Sequence, residues 1–208
     1  TLCRKNKLNA HILLKRCGID PLVLRRSDLF VDYARVAEVL NLAAHESGNQ
    51  QFAIKLSQQR DYLVFGSFGL LLSQAESFQD LLRITNKYAH LHAPGIKLQE
   101  HHLDNQVALE YQLRLSKTVD LRQLIELGMG VVYRAAQALF KEAWQINKVT
   151  FAHPEPSNSQ FYAEFFQAPV FFAQPLTALY IKPAILDLQP SEQRTQLKSH
   201  LIEQFAAQ

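Results

Sequence analysis

The sequence predicts an α+β fold, with N-terminal helices followed by an antiparallel sheet that has helices packed on one face. Three observations lead there. The early part of the chain places apolar residues three and four apart, the spacing of amphipathic helices. Val107, Leu109, Tyr111, Leu113 and Leu115 alternate with Ala108, Glu110, Gln112, Arg114 and Ser116, the period-2 pattern of a half-buried strand. The stretch 149–172 reads as strand, turn, short helix, strand. Helices first, then two strands, helix, strand, helix and strands again is the order of an α+β chain.

Each element has its own local reason. Leu8, Ile12, Leu13 and Cys17 follow a helical period, and Gly18 is placed as a left-handed stop. Gly18-Ile19-Asp20-Pro21 is then a turn. Val36, Val39, Leu40 and Ala43 mark a second helix ending near Ser47-Gly48-Asn49. Phe52, Ile54 and Leu56 suggest a short further element. Gly66-Ser67-Phe68-Gly69 reads as a tight bend into Leu70-Leu71-Leu72. Ser77-Phe78-Gln79-Asp80 fits a capping box, in which the serine hydroxyl takes an orphan amide and the aspartate reaches back. The helix it opens carries Phe78, Leu81, Leu82, Thr85, Tyr88 and Ala89, and Pro94-Gly95 ends it.

Ile96 and Leu98 begin the first hairpin strand, with Asp104-Asn105 at the turn. A long helix is expected from about Val119 to Glu142, with Leu121, Leu124, Ile125, Val132, Leu139 and Phe140 on a wide apolar face. Val149 and Phe151 alternate with Lys148 and Thr150, and Pro154 and Pro156 stop that strand because neither can donate to a ladder. Ser157 or Ser159 can cap a helix bearing Phe161, Tyr162, Phe165 and Phe166. Pro169 holds the chain extended into Val170, Phe171 and Phe172. Ala178–Ile181 is a last strand. Pro190-Ser191-Glu192 opens a terminal helix with Leu197, Leu201 and Phe205 on one side. With no Pro/Gly/Ser linker, residues 1–190 are expected to form one domain, followed by a terminal helix at 191–208.

Composition narrows the class. At 208 residues and 48% hydrophobic, the chain can bury a sizeable core. A net charge of +3 offers no basic stripe of the kind nucleic acid demands. No apolar run approaches the ~20 residues of a membrane span, and the N-terminus lacks a secretion signal. Two cysteines, Cys3 and Cys17, suggest reduced thiols and a cytoplasmic setting rather than a disulfide framework. The chain opens at Thr1 rather than methionine, as a piece trimmed from a longer one would.

Catalytic signatures are missing: there is no Gly-x-Ser-x-Gly elbow, no His-Glu-x-x-His and no phosphate loop. His90 and His92 lie two apart, about 200° around a helix, and His101 and His102 point to opposite faces of a strand, so no metal and no cofactor are expected. His153, before Pro154 at a strand end, is expected to hydrogen-bond its turn. Cys17 follows Arg16, yet its place in the apolar period favours packing over an activated thiolate. Arg4, Lys5, Lys7, Lys15, Arg16, Arg25 and Arg26 read as a solvated face.

A small-molecule site is the more promising reading. Phe65, Phe68, Tyr88, Tyr111 and Tyr133 could line an apolar cavity with a few phenolic donors, or simply pack the core. Tyr88 and His92 form a helical i,i+4 pair that would face one space. Gly128-Met129-Gly130 interrupts the long helix at about 1 kcal/mol per glycine, which calls for either close packing of a strand across it or room for a ligand. Met129, the single methionine, suits an adaptable wall. The candidate ligand residues are therefore Phe65, Phe68, Tyr88, His92, Tyr111, Met129 and Tyr133, with Lys87 or Arg83 as partners for a carboxylate.

The pieces Gly18-Ile19-Asp20-Pro21, Gly66-Ser67-Phe68-Gly69 before Ser77-Phe78-Gln79-Asp80, Phe151-Ala152-His153-Pro154, Ala168-Pro169-Val170 and Leu186-x-x-x-Pro190, in that order and spacing, resemble the N-terminal effector-binding and dimerisation domain of AraC-type bacterial transcription regulators. The likeness runs from about Gly18 to Pro190, to the group whose domain is helical at its start. It implies a homodimer, here through Leu197, Leu201 and Phe205. It also implies a small effector, apolar or amphipathic given the aromatic interior, for example a fatty or aromatic acid. DNA would be bound only through a pair of helix-turn-helix motifs beyond Gln208. No enzyme activity, metal, cofactor or membrane partner is expected. The alternative is a ligand-independent interaction or dimerisation module; an enzyme using Tyr88 and His92 as an acid–base pair is a third.

Overall fold

The computed structural model describes residues 2–26, 29–58, 67–93, 95–115 and 119–191. Short helices α1 (Leu2–Lys5) and α2 (Ala10–Arg16) lead through a 3-10 turn at Pro21–Leu24 to α3 (Tyr33–Ser47) and α4 (Phe52–Ser57). Asn9 caps α2, its side chain accepting from the amides of His11 and Ile12. Asp20 and Asp32 do the same for the 3-10 turn and α3. Gly18 and Gly48 take the left-handed conformation that stops α2 and α3. The buried face of α2 is Leu13 and Leu14, with Cys17 just beyond it; Ile12, expected inside, is 54% exposed.

The expected bend at Gly66–Gly69 is replaced, over its described residues, by helix α5 (Ser67–Leu72). A lone glycine weakens a helix by only ~1 kcal/mol, which the apolar burial of Leu72 offsets. Helix α6 (Phe78–His92) opens on Ser77, whose Oγ accepts from the Asp80 amide at 3.1 Å. Asp80 reaches back, but to the Glu76 amide at 3.2 Å rather than to Ser77 itself.

Strands β1 (Ile96–Leu103) and β2 (Gln106–Leu113) pair antiparallel from Ile96↔Leu113 to Leu103↔Gln106, which leaves Asp104-Asn105 as the turn. Helix α7 (Arg122–Phe140) is shorter than expected, because Asp120 accepts from the Arg122 amide and its last turn tightens into a 3-10 segment at Lys141–Ala143. Strand β3 (Lys148–Thr150), helix α8 (Gln160–Phe166), β4 (Val170–Phe171) and β5 (Ala178–Ile181) follow. Neither Ser157 nor Ser159 caps α8 with its side chain; Ser157 is turned toward Gln50 and Gln51. The sheet order is β1-β2-β5-β3-β4. All pairs are antiparallel except β3 with β4, which are parallel because α8 carries the chain back over the sheet between them.

Two apolar cores result. The larger lies between the inner face of the sheet and α6, α7 and α8. The smaller gathers α1, α2, α3 and α4 against the start of α7. The terminal helix at 191–208, with Leu197, Leu201 and Phe205, lies outside the described residues apart from Ser191, whose amide donates to the Leu139 carbonyl at 2.9 Å. Among the described residues no helix is long and apolar enough to cross a membrane.

Gly95 has φ +91°, and a methyl there would run into the Arg114 carbonyl, whereas Gly48 has φ +63° with open space around it. Gly95→Ala should therefore cost roughly 2–4 kcal/mol in a urea titration, strain and clash together, against ~1 kcal/mol for Gly48→Ala. Equal costs at the two positions would contradict the β1–β2 packing described.

Candidate functional site

A cavity of about 370 Å³ lies where the two cores meet, within the size range of small-molecule sites. Helix α6 supplies one wall with Phe78, Leu81, Leu82, Thr85 and Ala89. Helix α7 supplies the opposite wall with Leu124, Leu127, Gly128, Val131, Val132 and Ala135. Ile96, Leu98 and Tyr111 of the hairpin form the floor, and Tyr33, Leu56 and Phe68 close the space from the N-terminal helices. The side chains reach it by helical and strand periodicity: positions 78, 81, 82, 85 and 89 share one stripe of α6, and Leu98 and Tyr111 face each other across the hairpin.

Gly128 sets the depth of the cavity. A methyl on it would collide with the Tyr111 hydroxyl, so the missing side chain lets that phenol lie against the helix backbone. Gly130 serves packing alone, since a methyl there would meet Ser57 and Ile54 of α4. One glycine of the Gly-Met-Gly run thus bounds the cavity while the other seats a neighbouring helix. Met129, between them, is buried in the larger core.

Of the residues expected at a ligand site, Phe68 and Tyr111 line the cavity. Tyr88 is half-buried on the larger core, with the Lys87 ammonium 5.0 Å from its ring centroid. Tyr133 stands within the aromatic cluster instead, 5.2 Å from Phe166 and 5.7 Å from Phe165 between ring centroids. Phe65 lies outside the described residues, as does the side chain of His92 at the end of α6. Arg83 is exposed and paired with Asp80 at 2.6 Å, and neither it nor Lys87 borders the cavity. Tyr33, Leu56 and Thr85 were not anticipated. Tyr33 follows its cap, Asp32, so only the docking of α3 reveals where it points.

Among the described residues, three polar side chains border the space, Tyr33, Thr85 and Tyr111. The Thr85 hydroxyl is committed to the Leu81 carbonyl of its own helix at 2.8 Å. Tyr33 and Tyr111 remain, and among the described residues neither hydroxyl has a hydrogen-bond partner. Burial pushes both phenols upward from their ordinary pKa, and Tyr33 adds to the shift of Tyr111.

Beside the cavity, a polar seam ties α7 to the N-terminal helices and to the β3–α8 loop. Gln123 is buried; its Oε1 accepts from the Ala53 amide at 3.0 Å and its Nε2 donates to the Gln50 carbonyl at 2.8 Å, capping α4 from another helix. Gln50 Oε1 in turn accepts from the Ser157 amide and hydroxyl. Glu126, fully buried, accepts from Arg122 Nε at 2.9 Å and lies 3.4 Å from His153 Nε2. Its second carboxylate oxygen and the Tyr162 hydroxyl are buried without a well-formed hydrogen bond. Burial outweighs the pull of Arg122 and raises the Glu126 carboxyl to about 7. The same burial lowers His153, whose Nδ1 lies 2.9 Å from the Pro154 carbonyl, the turn contact expected for it. A lone Glu in the otherwise apolar Leu124–Leu127 stretch was the available sequence signal for this seam.

Cys17 is buried, and that burial pushes its thiol upward, with Glu38 adding to the shift. The basic residues of the N-terminal segment are exposed, and Arg16 pairs with Glu46. His101 lies 2.7 Å from Glu110, and among the described residues no group of three metal-ligating side chains occurs.

The chain matches the family model described as the arabinose-binding domain of AraC transcription regulators, N-terminal, over residues 8–190, and it belongs to that family. No curated protein matches it. Among solved structures it is similar to the crystal structure of the transcriptional regulator CdpR from Pseudomonas aeruginosa, with a TM-score of 0.60 at 13% identity. The alignment covers 92% of this chain and 58% of that one, so this chain spans little more than half the length of that regulator. At that identity the likeness speaks for the fold.

The raised carboxyl of Glu126 makes a pH-dependent difference testable. Between its unfolded value of 4.5 and its folded value of about 7 the native chain holds the extra proton, so this group's contribution to stability falls as pH rises through that window. His153 acts in the opposite sense, because lowering its pKa removes a proton from the native state near its ordinary 6.5. The difference between Glu126→Gln and wild type isolates the carboxyl. It should shift in favour of the variant by ~3 kcal/mol between about pH 5 and about pH 8 in urea titrations; an unchanged difference would mean that Glu126 is charged throughout.

Proposed function

We propose that this chain is the sensing domain of an AraC-type bacterial transcription regulator. A small apolar or amphipathic molecule occupies the cavity between α6, α7 and the hairpin, and so controls DNA binding by a domain carried elsewhere in the same cytoplasmic protein. The observation that carries the reading is the position of the cavity: its walls belong to both cores. A ligand touching both biases how the N-terminal helices sit on the sheet, and only a ligand that prefers one arrangement can shift the balance. Phe68 and Tyr111 serve as direct contacts, while Met129 and Tyr133 support the wall from behind. The role is one of binding, without metal, cofactor or turnover. Dimerisation through Leu197, Leu201 and Phe205 belongs to the same proposal; Leu201→Asp should turn a dimer into a monomer by analytical ultracentrifugation, and a surviving dimer would move the seam elsewhere.

Val131 offers a test of the cavity itself. An apolar fluorescent probe such as N-phenyl-1-naphthylamine should bind the wild type saturably at one site. Val131→Phe should fill the space and abolish that binding while changing stability by only ~1 kcal/mol, since the added ring enters a void rather than a packed core. Undiminished probe binding by a folded Val131→Phe protein would place the ligand elsewhere.

A further inference from the structure

The chemistry of the cavity narrows its occupant beyond "apolar or amphipathic". Resting on the sensing role above, we propose that the site selects an uncharged ligand with an aliphatic or aromatic body and a single hydrogen-bonding head, an alcohol, ketone or ester, held by the hydroxyls of Tyr111 and Tyr33, and that it rejects carboxylates.

Four observations lead to this. Among the described residues, no charged side chain borders the cavity. The two cations of α6 that could have answered a carboxylate, Arg83 and Lys87, lie off the cavity, exposed and turned to Asp80 and to the Tyr88 ring. Among the described residues an ionised acid would therefore find no counter-charge in this apolar space, which costs far more than placing a neutral head there. The third polar group, Thr85, is spent on its own helix, which leaves the two phenols as the donors and acceptors on offer.

The Tyr111 phenol is also held in place. The residue is 5% exposed, and its hydroxyl lies against the backbone of Gly128, which alone among residue types leaves room for it. The Tyr111 hydroxyl borders the cavity without a hydrogen-bond partner among the described residues, and a ligand head that supplies one adds that bond to the complex. Binding energy would then come from the body of the ligand, and discrimination from the head. This is the arrangement in which a site rejects analogues lacking the matching group more sharply than analogues differing by a methylene.

The test is displacement of the same naphthylamine probe at neutral pH by decane, decanol and decanoate, with wild type, Tyr111→Phe and Tyr33→Phe. Decanol should displace at least ~10-fold more tightly than decanoate, a difference expected from burying an unpaired carboxylate. Tyr111→Phe should weaken decanol by about three- to tenfold while leaving decane unchanged or tighter, since only the alcohol loses a hydrogen bond. Tyr33→Phe should act in the same direction. Decanoate binding as tightly as decanol, or equal losses for decanol and decane in Tyr111→Phe, would overturn the inference and leave the sensing role standing. Failure of the probe and of all three ligands to bind the folded wild type would overturn both.

Discussion

Helix α7 is the member that both cores need, and the absence of side chains at two of its positions is what lets them share it. One end packs among the N-terminal helices and the other against the sheet and α8. At Gly130 the helix admits Ser57 and Ile54 of α4; at Gly128 it admits the Tyr111 phenol of β2. Each glycine weakens the helix by about 1 kcal/mol in isolation. The close approach it allows removes apolar surface from water on both sides, at ~25 cal/mol per Å², which offsets that loss. A residue with a Cβ at either place would push a core away and change the space left between them.

That space is the candidate site, and its location gives it leverage. A cavity wholly inside one core would be sensed only as a gain in stability. This one touches α3, α4 and α5 on one side and α6, α7 and the hairpin on the other. On the proposed reading, an occupant would couple to the relative placement of the layers, the kind of displacement that a packed interface converts into discrete alternatives.

The polar seam beside it works on the same joint by different physics. Gln123 stands in for a cap that α4 lacks, because Gln51 at its N-cap position makes no capping bond with its side chain. Gln50 and Gln51 then reach the Ser157 loop. Glu126 sits in the middle of this joint with its charge opposed by burial and supported by Arg122. Buried polar groups of this kind contribute little net stability and hold a specific geometry. The wall of the cavity formed by Leu124 and Leu127 is positioned by the polar residues that alternate with it, Gln123 and Glu126.

The sequence by itself determined the elements whose causes are local. The cap at Ser77, the stops at Gly18 and Gly48 and the Asp104-Asn105 turn depend on residues within a few positions of one another and appear as read; the strand–helix–strand order of 148–171 appears too, but without the expected serine cap on its helix. The apolar alternation of β2 and the stripe of α6 likewise announced which faces turn inward, which is why Tyr111 could be named as a candidate. Tertiary structure alone decided the rest. Whether Ile12 is covered, whether β3 and β4 run parallel, and whether Tyr133 faces the cavity or the Phe165–Phe166 cluster depend on which element arrives from far along the chain. So does the existence of the cavity, since periodicity marks a face as apolar without saying whether the side chains opposite fill the space. Tyr33 and Tyr111 are 78 residues apart in number and meet one void, and only packing, which is non-local by nature, brings them there.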